Sequence, residues 1–463
     1  MIELPHRLQP VLEAIRPIGR PRLVGGCVRD HLLGRRAGDI DIEVAGTTFD
    51  ELLKALKPFG PTDVVGRSFG TIKLRLDQTV TDFSLPRRES KTGAGHRGFK
   101  VEPDPHLSDE EAAARRDFTI NAIAWDPIET RLIDPFGGQK DLERKILRHT
   151  SPAFIEDPLR VLRAMQLAAR LDFELAPETA ELSRSISADF AELPLERVWG
   201  EWEKWATLST KPSRGIHVLI QTGWLAHFPE IAALVGVEQE PEWHPEGDVF
   251  NHTLHCLDAL ATDPEWIQSS SERRQLLSFA VLAHDFGKPA TTERVEKRGH
   301  MRWTSPRHAI VGLEPTDSFL GRIGAPNRVA PVVKPLVQYH LAHHDAGDHL
   351  PSDSQILRLA RKLVPANLQD LLMVMRADCL GRPPREDPDT LERIALIANR
   401  AQELSVADQA PQPLLQGRHL IEKGLTPGPE FSSIIAAAYE AQLNGDFDSL
   451  TEAQDWLDSH LKN

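Results

Sequence analysis

The sequence predicts an α+β fold, in which a mixed α/β region over residues 1–150 is followed by an almost wholly helical remainder. Three observations support this prediction. Strand-like and helix-like runs alternate as far as about residue 150, and from "SPAFIEDPLRVLRAMQ" onward apolar residues recur with helical spacing. Two Pro-rich breaks, "EQEPEWHPEGD" and "GRPPREDPD", interrupt the helical part. We therefore predict four domains, over residues 1–150, 151–240, 241–383 and 384–463.

The elements of the first region follow one another in an alternating pattern. The pattern predicts a strand at "PRLVGG", a helix at "CVRDHLLG" and a second strand at "DIDIEVAG". It then predicts a helix at "FDELLKALKPFG", strands at "TIKLRL" and "TVTDFSL", a helix over roughly 109–124 and a strand near "RLIDPFG". Between these, "ESKTGAGHRGFKVEPDPHLSD" is rich in Gly, Pro and charge, which predicts a mobile loop.

Composition limits the class of protein. Of the 463 residues, 40% are hydrophobic and 26% charged, as in a globular protein of about two to four domains. We find no apolar run long enough to span a membrane and no secretory h-region at the N-terminus. The three cysteines are isolated, so a disulfide framework and a C-x-x-C metal site are both excluded. These features predict a cytoplasmic protein.

The charge balance is acidic but uneven. A net charge of −14 argues weakly against a general nucleic-acid-binding protein, because phosphate-driven affinity needs clustered Lys and Arg. Seven Lys and Arg residues nevertheless fall between positions 87 and 116. The sequence therefore allows an acidic protein with one basic channel.

Two carboxylates lie one residue apart in "GDIDIEV". Side chains at i and i+2 of a strand point to the same side, so Asp39 and Asp41 are expected to lie close together. At about 4 Å apart they would repel by about 4 kcal/mol at an effective dielectric near 20. Gly25 and Gly26, between a strand and a helix, would let a phosphate approach the backbone. Taken alone, these features fit a solvated strand edge and a tight turn as well as they fit a metal and phosphate site.

The longer stretch "VGGCVRDHLLGRRAGDIDIEV" resembles the motif of transfer-RNA nucleotidyltransferases of the bacterial and eukaryotic type, the CCA-adding enzymes, and of bacterial poly(A) polymerase. The resemblance implies a polymerase-beta-like α/β head, with Asp39 and Asp41 holding two Mg²⁺ ions. It also implies that Gly25, Gly26 and Arg29 bind the nucleotide. A third acidic residue is expected on a neighbouring strand. Asp82 in "VTDFSLPRR" fits that position, and Asp77 fits it less well.

A second motif, "ARRDFTINAIAWDP", also resembles this family. By that resemblance Arg116 contacts the triphosphate, and Asp117 and Asn121 belong to the nucleotide site. The alternative is an exposed Arg-Arg pair at the start of a helix.

The third motif, "EDPLRVLRAMQ", implies by resemblance a helix whose side chains bind the edge of the incoming base, so that the protein acts as template. The candidates are Asp157, Arg160 and Arg163, because a carboxylate accepts from an exocyclic amine while a guanidinium donates to ring N and O. The alternative for Asp157 is a helix N-cap before Pro158. The sequence departs from the family at Gln166, where many members have an arginine.

His and Asp residues recur over 247–382, in "NHTLHCLDAL", "LAHDFGKP", "PRHAIVG", "QYHLAHHD" and "MRADCLGR". Imidazole and carboxylate together suit a transition metal. These stretches resemble the HD phosphohydrolase superfamily, which implies a helical HD domain with a divalent ion such as Ni²⁺, Mn²⁺ or Co²⁺. By resemblance the metal ligands are His252, His284, Asp285 and Asp378, with Lys288, His308 and His340 binding phosphate or assisting the metal.

The main functional hypothesis is template-independent addition of CCA to transfer RNA from CTP and ATP, with phosphohydrolase activity in the HD block. The last segment, from "LLQGRHL" onward, resembles the helical tail that holds the transfer-RNA body.

An A-adding enzyme or a poly(A) polymerase is the alternative with the same chemistry. By the family resemblance, CC-only enzymes have lost the loop found here over 88–108, so its presence argues against a CC-only enzyme. "VVGRSFGTIKL" lacks the doubled basic residues that the resemblance leads us to expect of a poly(A) polymerase. An alternative of another class is an HD phosphohydrolase whose N-terminal domain only binds RNA.

Overall fold

The computed structural model describes residues 2, 4–35, 38–65, 70–76, 79–91, 99–297, 299–344 and 349–461. It divides into two compact units, Met1–His227 and Phe228–Asn463. A mixed sheet lies in the first unit and the second is almost entirely helical, which confirms the predicted α+β class. The first unit includes residues 1–150 and most of 151–240, and the four-domain division stays a prediction.

A seven-stranded sheet forms the centre of the first unit. Its strands are β1 (Arg20–Val24), β2 (Ile40–Ala45), β3 (Thr62–Val65), β4 (Thr71–Leu76), β5 (Thr79–Ser84) and, after a hairpin of β6 (Arg87–Lys91) and β7 (Phe99–Pro103), β8 (Ala124–Asp126) and β9 (Arg131–Ile133). Their order in space is β3-β4-β5-β2-β1-β8-β9. β2 and β5 are parallel, whereas the other neighbouring pairs in this sheet are antiparallel. Two short strands, β10 (Ile146–Leu147) and β11 (Glu174–Leu175), pair separately.

Helices complete the first unit. They are α1 (Leu8–Ile15), α2 (Gly26–Leu32), α3 (Phe49–Leu56), α4 (Asp109–Ala114), α5 (Thr119–Ala122), α6 (Gly138–Arg144), α7 (Leu159–Leu171), α8 (Pro177–Ser185), α9 (Leu195–Leu208) and α10 (Pro212–Gln221). Thr48 and Glu51 form a capping box that fixes the start of α3. The buried face of α7, which includes Leu162 and Met165, packs against α9 and α10. This packing places the opposite side of α7 toward the site described below.

The prediction of a mobile loop over the Gly- and charge-rich segment is wrong for its described residues. β6 and β7 form an antiparallel hairpin in which Arg87 is opposite Pro103. The charged run "RRESK" lacks the apolar alternation that signals a strand, and the pairing is visible only in the fold. Residues 92–98 lie outside the described residues, as do 66–69 and Asp77, the weaker candidate for the third carboxylate.

The helix predicted over 109–124 is divided in two. α4 ends at Ala114 and α5 begins at Thr119. Between them Phe118 forms a β-bridge with His149, and the Asp117 side chain accepts a hydrogen bond from the Phe118 N–H. These extended contacts compete with a continuous helical hydrogen-bond ladder. The break turns the Arg-Arg-Asp motif toward the cavity.

The second unit contains one β-hairpin, β12 (Glu293–Lys297) and β13 (His300–Thr304), among the described strands. Its helices are α11 (Pro229–Ala232), α12 (Val249–Thr262), α13 (Pro264–Gln268), α14 (Ser271–Ala283), α15 (Lys288–Thr291), α16 (His308–Val311), α17 (Leu313–Arg322), α18 (Ala330–Tyr339), α19 (Asp353–Leu363), α20 (Leu368–Leu380), α21 (Pro388–Glu403), α22 (Gly417–Glu422), α23 (Pro429–Asn444) and α24 (Leu450–His460).

Four of these helices surround a polar centre. α12, α14, α18 and α20 pack against one another through fully buried residues such as Leu257, Leu277, Leu336 and Leu371. The last three helices form a smaller core of their own around residues that include Leu420. No described helix is both long and apolar enough to cross a membrane.

Candidate functional sites

The parallel pair β2–β5 brings two acidic side chains together in the first unit. Asp41 is directly opposite Asp82 in the register of the two strands, and Asp39 lies in the bend just before β2. The surrounding protein partly excludes water from the Asp41 carboxyl group, although the residue as a whole is exposed. This desolvation and the neighbouring Asp82 carboxylate raise the pKa of Asp41, while Arg116 opposes them. Lys73 of β4 pairs with Asp82 at 3.4 Å. The carboxylates thus form a negative centre that a cation would stabilise.

Two arginines lie beside these carboxylates and are anchored by an acidic residue that our sequence reasoning missed. Glu43 is buried, and its Oε2 lies 3.4 Å from Arg115 Nη2 and 3.8 Å from Arg116 Nη2. Glu43 follows Asp41 by two positions on β2, so the i, i+2 rule that grouped Asp39 with Asp41 also applies to it.

Gly25 shows why the chain needs glycine beside this centre. Its φ is +77°, a conformation that side chains with a Cβ rarely adopt. A Cβ there would also lie 3.4 Å from Arg116 Nη1 and 3.8 Å from Asp41 Oδ2. The next residue, Gly26, begins α2. The bare backbone therefore leaves open the space between the arginine and the carboxylate.

A chain of hydrogen bonds joins the three sequence motifs. Arg29 Nη1 donates to Asn121 Oδ1 at 2.6 Å, and Asn121 Nδ2 donates to Asp117 Oδ1 at 2.9 Å. Asp117 Oδ2 accepts from Arg163 Nε at 2.8 Å and lies 2.6 Å from its Nη2. Burial opposes the ionisation of Asp117, but Arg163 and the hydrogen bond from Asn121 outweigh it and lower the pKa of Asp117. Hydrogen bonds thus connect side chains of α2, α5 and α7 through Asp117.

The two remaining base-helix candidates have different partners. Asp157 Oδ2 lies 2.8 Å from Arg197 Nη2, and its Oδ1 accepts the Leu159 N–H at the start of α7. The guanidinium of Arg160 is buried and donates to two backbone carbonyls, those of residues 153 and 115. Arg197 was missed because it follows Asp157 by 40 positions in another helix. Gln166 is buried, and no described residue hydrogen-bonds its Oε1.

A cavity of about 400 Å³ unites these groups. Its lining combines the carboxylates of β2 and β5 with arginines from the Arg-Arg-Asp motif and from α7 and α9: Asp41, Glu43, Asp82, Arg115, Arg116, Asp117, Asp157, Arg160, Arg163 and Arg197. A polyanion bound to the arginines would therefore lie against the acidic centre. The predicted binding roles of the individual residues stay predictions.

In the second unit the predicted HD residues converge on two adjacent clusters. His252, His284 and Asp378 lie with Cys256 in one group whose ligand atoms are all within 4.8 Å of one another. Asp285, His308 and His340 form a second group by the same measure. His252 Nε2 is 3.8 Å from Asp285 Oδ2, so the groups adjoin.

Two further residues, His244 and Glu246, lie on the Nδ1 side of His252, and sequence reasoning also missed them. Glu246 Oε1 is 2.8 Å from His252 Nδ1 and 2.9 Å from His244 Nδ1. Burial opposes the ionisation of Glu246, but these two hydrogen bonds outweigh it and lower the pKa to about 2. The stretch "HPEGD" that contains His244 and Glu246 was interpreted only as a Pro- and Glu-rich break.

The buried carboxylates of the clusters are held in their charged form. Burial opposes ionisation, but His284 and Lys288 hold the pKa of Asp285 well below its usual range. Arg382 and His252 do the same for the pKa of Asp378. Lys288 Nζ lies 2.7 Å from Asp285 Oδ2 and borders a cavity of about 380 Å³ with His308, His340 and Arg382.

The histidines are oriented as metal ligands would be. The Nδ1 atoms of His284, His308 and His340 each lie 2.7 Å from a backbone carbonyl oxygen. A carbonyl oxygen only accepts, so Nδ1 carries the hydrogen and Nε2 keeps its lone pair. The Nε2 atoms of His308 and His340 face each other at 3.3 Å, and burial with the neighbouring His284 and His308 lowers the pKa of His340 to about 3. His308 Nε2 also lies 3.3 Å from Asp285 Oδ1, so the three side chains converge as the ligands of a bound metal ion would.

Two families match parts of the chain that lie wholly or mostly in the first unit. Residues 21–148 match the family described as the Poly A polymerase head domain. Residues 172–234 match the family described as the probable RNA and SrmB-binding site of polymerase A.

Whole-length relatives extend this agreement into the second unit. The chain is 37% identical over 397 residues to the multifunctional CCA protein of Vibrio vulnificus strain CMCP6, covering 83% of this chain and 91% of that protein. It is 38% identical over 373 residues to the multifunctional CCA protein of Nitrosococcus oceani, covering 79% and 86%. Its fold is similar to that of the Bacillus stearothermophilus CCA-adding enzyme in complex with CTP, with a TM-score of 0.67, 24% identity and coverage of 99% and 98%.

Proposed function

The chain belongs to the family of bacterial CCA-adding enzymes, which includes the multifunctional CCA proteins, and we propose that it adds CCA from CTP and ATP to the 3′ end of transfer RNA. The observation that best supports this is the cavity in which Asp41 is opposite Asp82 and Arg116 lies beside them. In the reaction the RNA 3′-oxygen forms a bond to the α-phosphorus of the nucleotide. The hydroxyl proton is lost, and pyrophosphate leaves.

The chain's own side chains fit this chemistry. Carboxylate oxygens of Asp39, Asp41 and Asp82 are the ligands that Mg²⁺ prefers, and desolvation and the neighbouring Asp82 carboxylate, which raise the pKa of Asp41, support a cation at this centre. Magnesium there would stabilise the charge on the attacking and leaving oxygens. Arg116, anchored by Glu43, would hold the triphosphate against this centre, and Gly25 would give it room.

We propose that two ion pairs lining the same cavity select the base. Asp157 is paired with Arg197, and Asp117 with Arg163. Cytosine and adenine both present an exocyclic amine next to a ring acceptor, so one carboxylate and one guanidinium suffice to bind either edge. We propose that an incoming base exchanges these internal partners for its own edge. Arg160 stabilises the position of α7 through its hydrogen bonds to two backbone carbonyls.

The test uses transfer RNA that lacks CCA and transfer RNA that ends in CC, each with magnesium, CTP and ATP. The wild type should extend both, and Asp41→Ala should extend neither. Asp189→Ala, in the turn Ser187–Glu192 of the same unit, is the matched control and should behave as the wild type. Extension only of the RNA ending in CC would replace the proposal by A-addition, and long A tails would indicate a poly(A) polymerase.

We propose, second, that the HD clusters form a metal-dependent phosphohydrolase with a transition metal such as Ni²⁺, Mn²⁺ or Co²⁺. The facing Nε2 atoms of His308 and His340 support this, as does His284 Nε2, which is buried and lies 3.2 Å from Asp285 Oδ2. His252, His284, Asp285 and Asp378 would hold the metal, and Lys288 would bind phosphate.

Substitution of His284 separates the two activities. His284→Ala should abolish metal-dependent release of phosphate from a phosphomonoester and leave CCA addition unchanged. His255→Ala, an exposed residue on the same helix as His252, is the matched control. Loss of both activities in His284→Ala would show that His284 is structural.

The cytoplasmic location predicted from the cysteines is also part of the proposal. Cys27, Cys256 and Cys379 are buried free thiols, which suits a reducing compartment.

A further inference from the structure

Cys256 lies inside the first HD cluster. It follows His252 by one helical turn on α12, so both side chains leave the same face of the helix. The residue is fully buried, and its Sγ is 3.4 Å from His252 Nε2. Ligand atoms of His252, Cys256, His284 and Asp378 all lie within 4.8 Å of one another. Metal–ligand distances of about 2.0–2.3 Å place the ligand atoms of one ion at most about 4.6 Å apart, so a small inward shift of this group would let all four contact one ion.

The neighbours of Cys256 orient this cluster. Glu246 Oε1 and the Gly381 carbonyl oxygen lie 2.8 and 3.1 Å from His252 Nδ1, so that nitrogen donates and Nε2 faces the sulfur. His252 Nε2 is also 3.1 Å from Asp378 Oδ1. A carboxylate behind a ligating histidine fixes the ring and raises its basicity. The donor set is therefore arranged before any ion binds.

Glycine at position 381 leaves the space that the sulfur occupies. A Cβ on Gly381 would lie 2.2 Å from Cys256 Sγ and 2.9 Å from the Cys256 backbone N. Any side chain there would force the thiol or helix α12 to move. The close approach of α12 to the end of α20 thus holds the sulfur next to Asp378.

From this geometry we infer that Cys256 is a thiolate ligand of the metal held by His252, His284 and Asp378, and that the site selects a thiophilic late transition metal over magnesium. The inference rests on the HD metal site proposed above. The sulfur–metal bond replaces the S–H bond, and the proton goes to solvent. Soft thiolate favours ions such as Zn²⁺ and Co²⁺, whereas carboxylate and water suit Mg²⁺ and Mn²⁺.

Cobalt provides a readout that does not depend on activity. A Co²⁺–thiolate bond gives a sulfur-to-metal charge-transfer band in the near ultraviolet, and Co²⁺ bound only by N and O ligands gives ligand-field bands without it. The full-length wild type should show the charge-transfer band on titration with Co²⁺. The double variant Cys27→Ser/Cys379→Ser, in which Cys256 is the remaining cysteine, should keep it.

Cys256→Ser should lose the band. It should also bind Co²⁺ at least about tenfold more weakly, a loss of affinity that is typical when a group supporting a metal site is substituted. The inference is wrong if the double variant binds Co²⁺ without the band, or if Cys256→Ser keeps the band. Because the double variant retains Cys256, this test holds even if Cys256→Ser fails to fold. If His284→Ala binds as much Co²⁺ as the wild type, the proposal of an HD metal site is wrong. This outcome is distinguishable from one in which only the assignment of Cys256 is wrong.

Discussion

The ion pair of Asp117 with Arg163 should be a measurable source of stability in the first unit, and Asp117→Asn tests it. The substitution keeps the shape of the side chain. An Asn oxygen can still accept from Asn121 and from the Phe118 N–H, as Asp117 Oδ1 does. The lost group is Oδ2, which faces Arg163. An amide there would direct its own donors at the guanidinium.

The expected loss follows from the burial of the two partners. Removing one member of a fully buried ion pair costs about 3–5 kcal/mol, and hydrogen bonds to charged groups contribute about 1.5–3 kcal/mol. The side chain of Asp117 is 7% exposed but that of Arg163 is 36% exposed, so water compensates part of the loss at the guanidinium. We therefore expect destabilisation by about 2–3 kcal/mol.

A double-mutant cycle in urea measures this interaction. Asp117→Asn, Arg163→Gln and the double variant should give a coupling free energy of about 2 kcal/mol, well above the 0.3–0.5 kcal/mol within which independent sites typically add. Arg197→Gln is the control, because the ion pair of Arg197 with Asp157 is more exposed and should contribute about 0–1 kcal/mol. Additive effects of the two substitutions at Asp117 and Arg163 would refute the reasoning.

The same pair gives a pH dependence with a defined sign. The pKa of Asp117 is lower in the folded protein than its unfolded value of about 3.9, so its stabilisation is fully present above that value. The stabilisation is lost as pH falls from there through the folded pKa. The stability difference between wild type and Asp117→Asn should therefore shrink on acidification below about pH 4 and stay constant at neutral pH. A difference that grows in acid would contradict this assignment.

Two further predictions concern the same unit. Glu43→Gln weakens the ion pair that anchors Arg116. In steady-state assays the KM for both CTP and ATP should therefore rise by up to about fivefold, equivalent to about 1 kcal/mol. Unchanged KM values would show that Arg116 needs no anchor. Gly138→Ala should destabilise by about 1–3 kcal/mol or more in thermal unfolding, because its Cβ would lie 2.2 Å from the Thr119 carbonyl oxygen. The control Gly200→Ala, with no atom within 4 Å of its Cβ inside α9, should be neutral or stabilising by up to about 1 kcal/mol.

The sequence was informative where the residues of a site follow one another closely along the chain. Asp39 and Asp41 share one strand-like run, and the Arg-Arg-Asp motif was identified from its own length. Five strands of the central sheet, β1, β2, β4, β5 and β9, lie at the predicted places, whereas β3 was not predicted and β8 begins at the end of the helix predicted over 109–124. The two short charged strands β6 and β7 were not predictable, because their pairing is tertiary and their residues show no apolar period.

Partners that the fold brings from a distance were not predictable. Arg197 reaches Asp157 across 40 positions, and Glu246 lies behind His252 only because a turn precedes α12. Cys256 was treated as an isolated thiol because its importance depends on Gly381, which is 125 positions away in the chain. Such contacts are fixed by packing between helices, about which local periodicity contains no information.

The parallel pairing of β2 with β5 has a mechanical consequence. Neighbouring strands lie about 4.8 Å apart, a spacing set by backbone hydrogen bonds and independent of side-chain choice. Asp41 and Asp82, being in register, therefore inherit the separation of their Cα atoms from the sheet, and movement of the surrounding loops leaves it unchanged. A slip of one residue between the strands would turn one carboxylate to the opposite face. The backbone spacing of the two acids is thus a constant of the architecture, and we expect adaptation to different nucleotides among the arginines, whose long side chains can move.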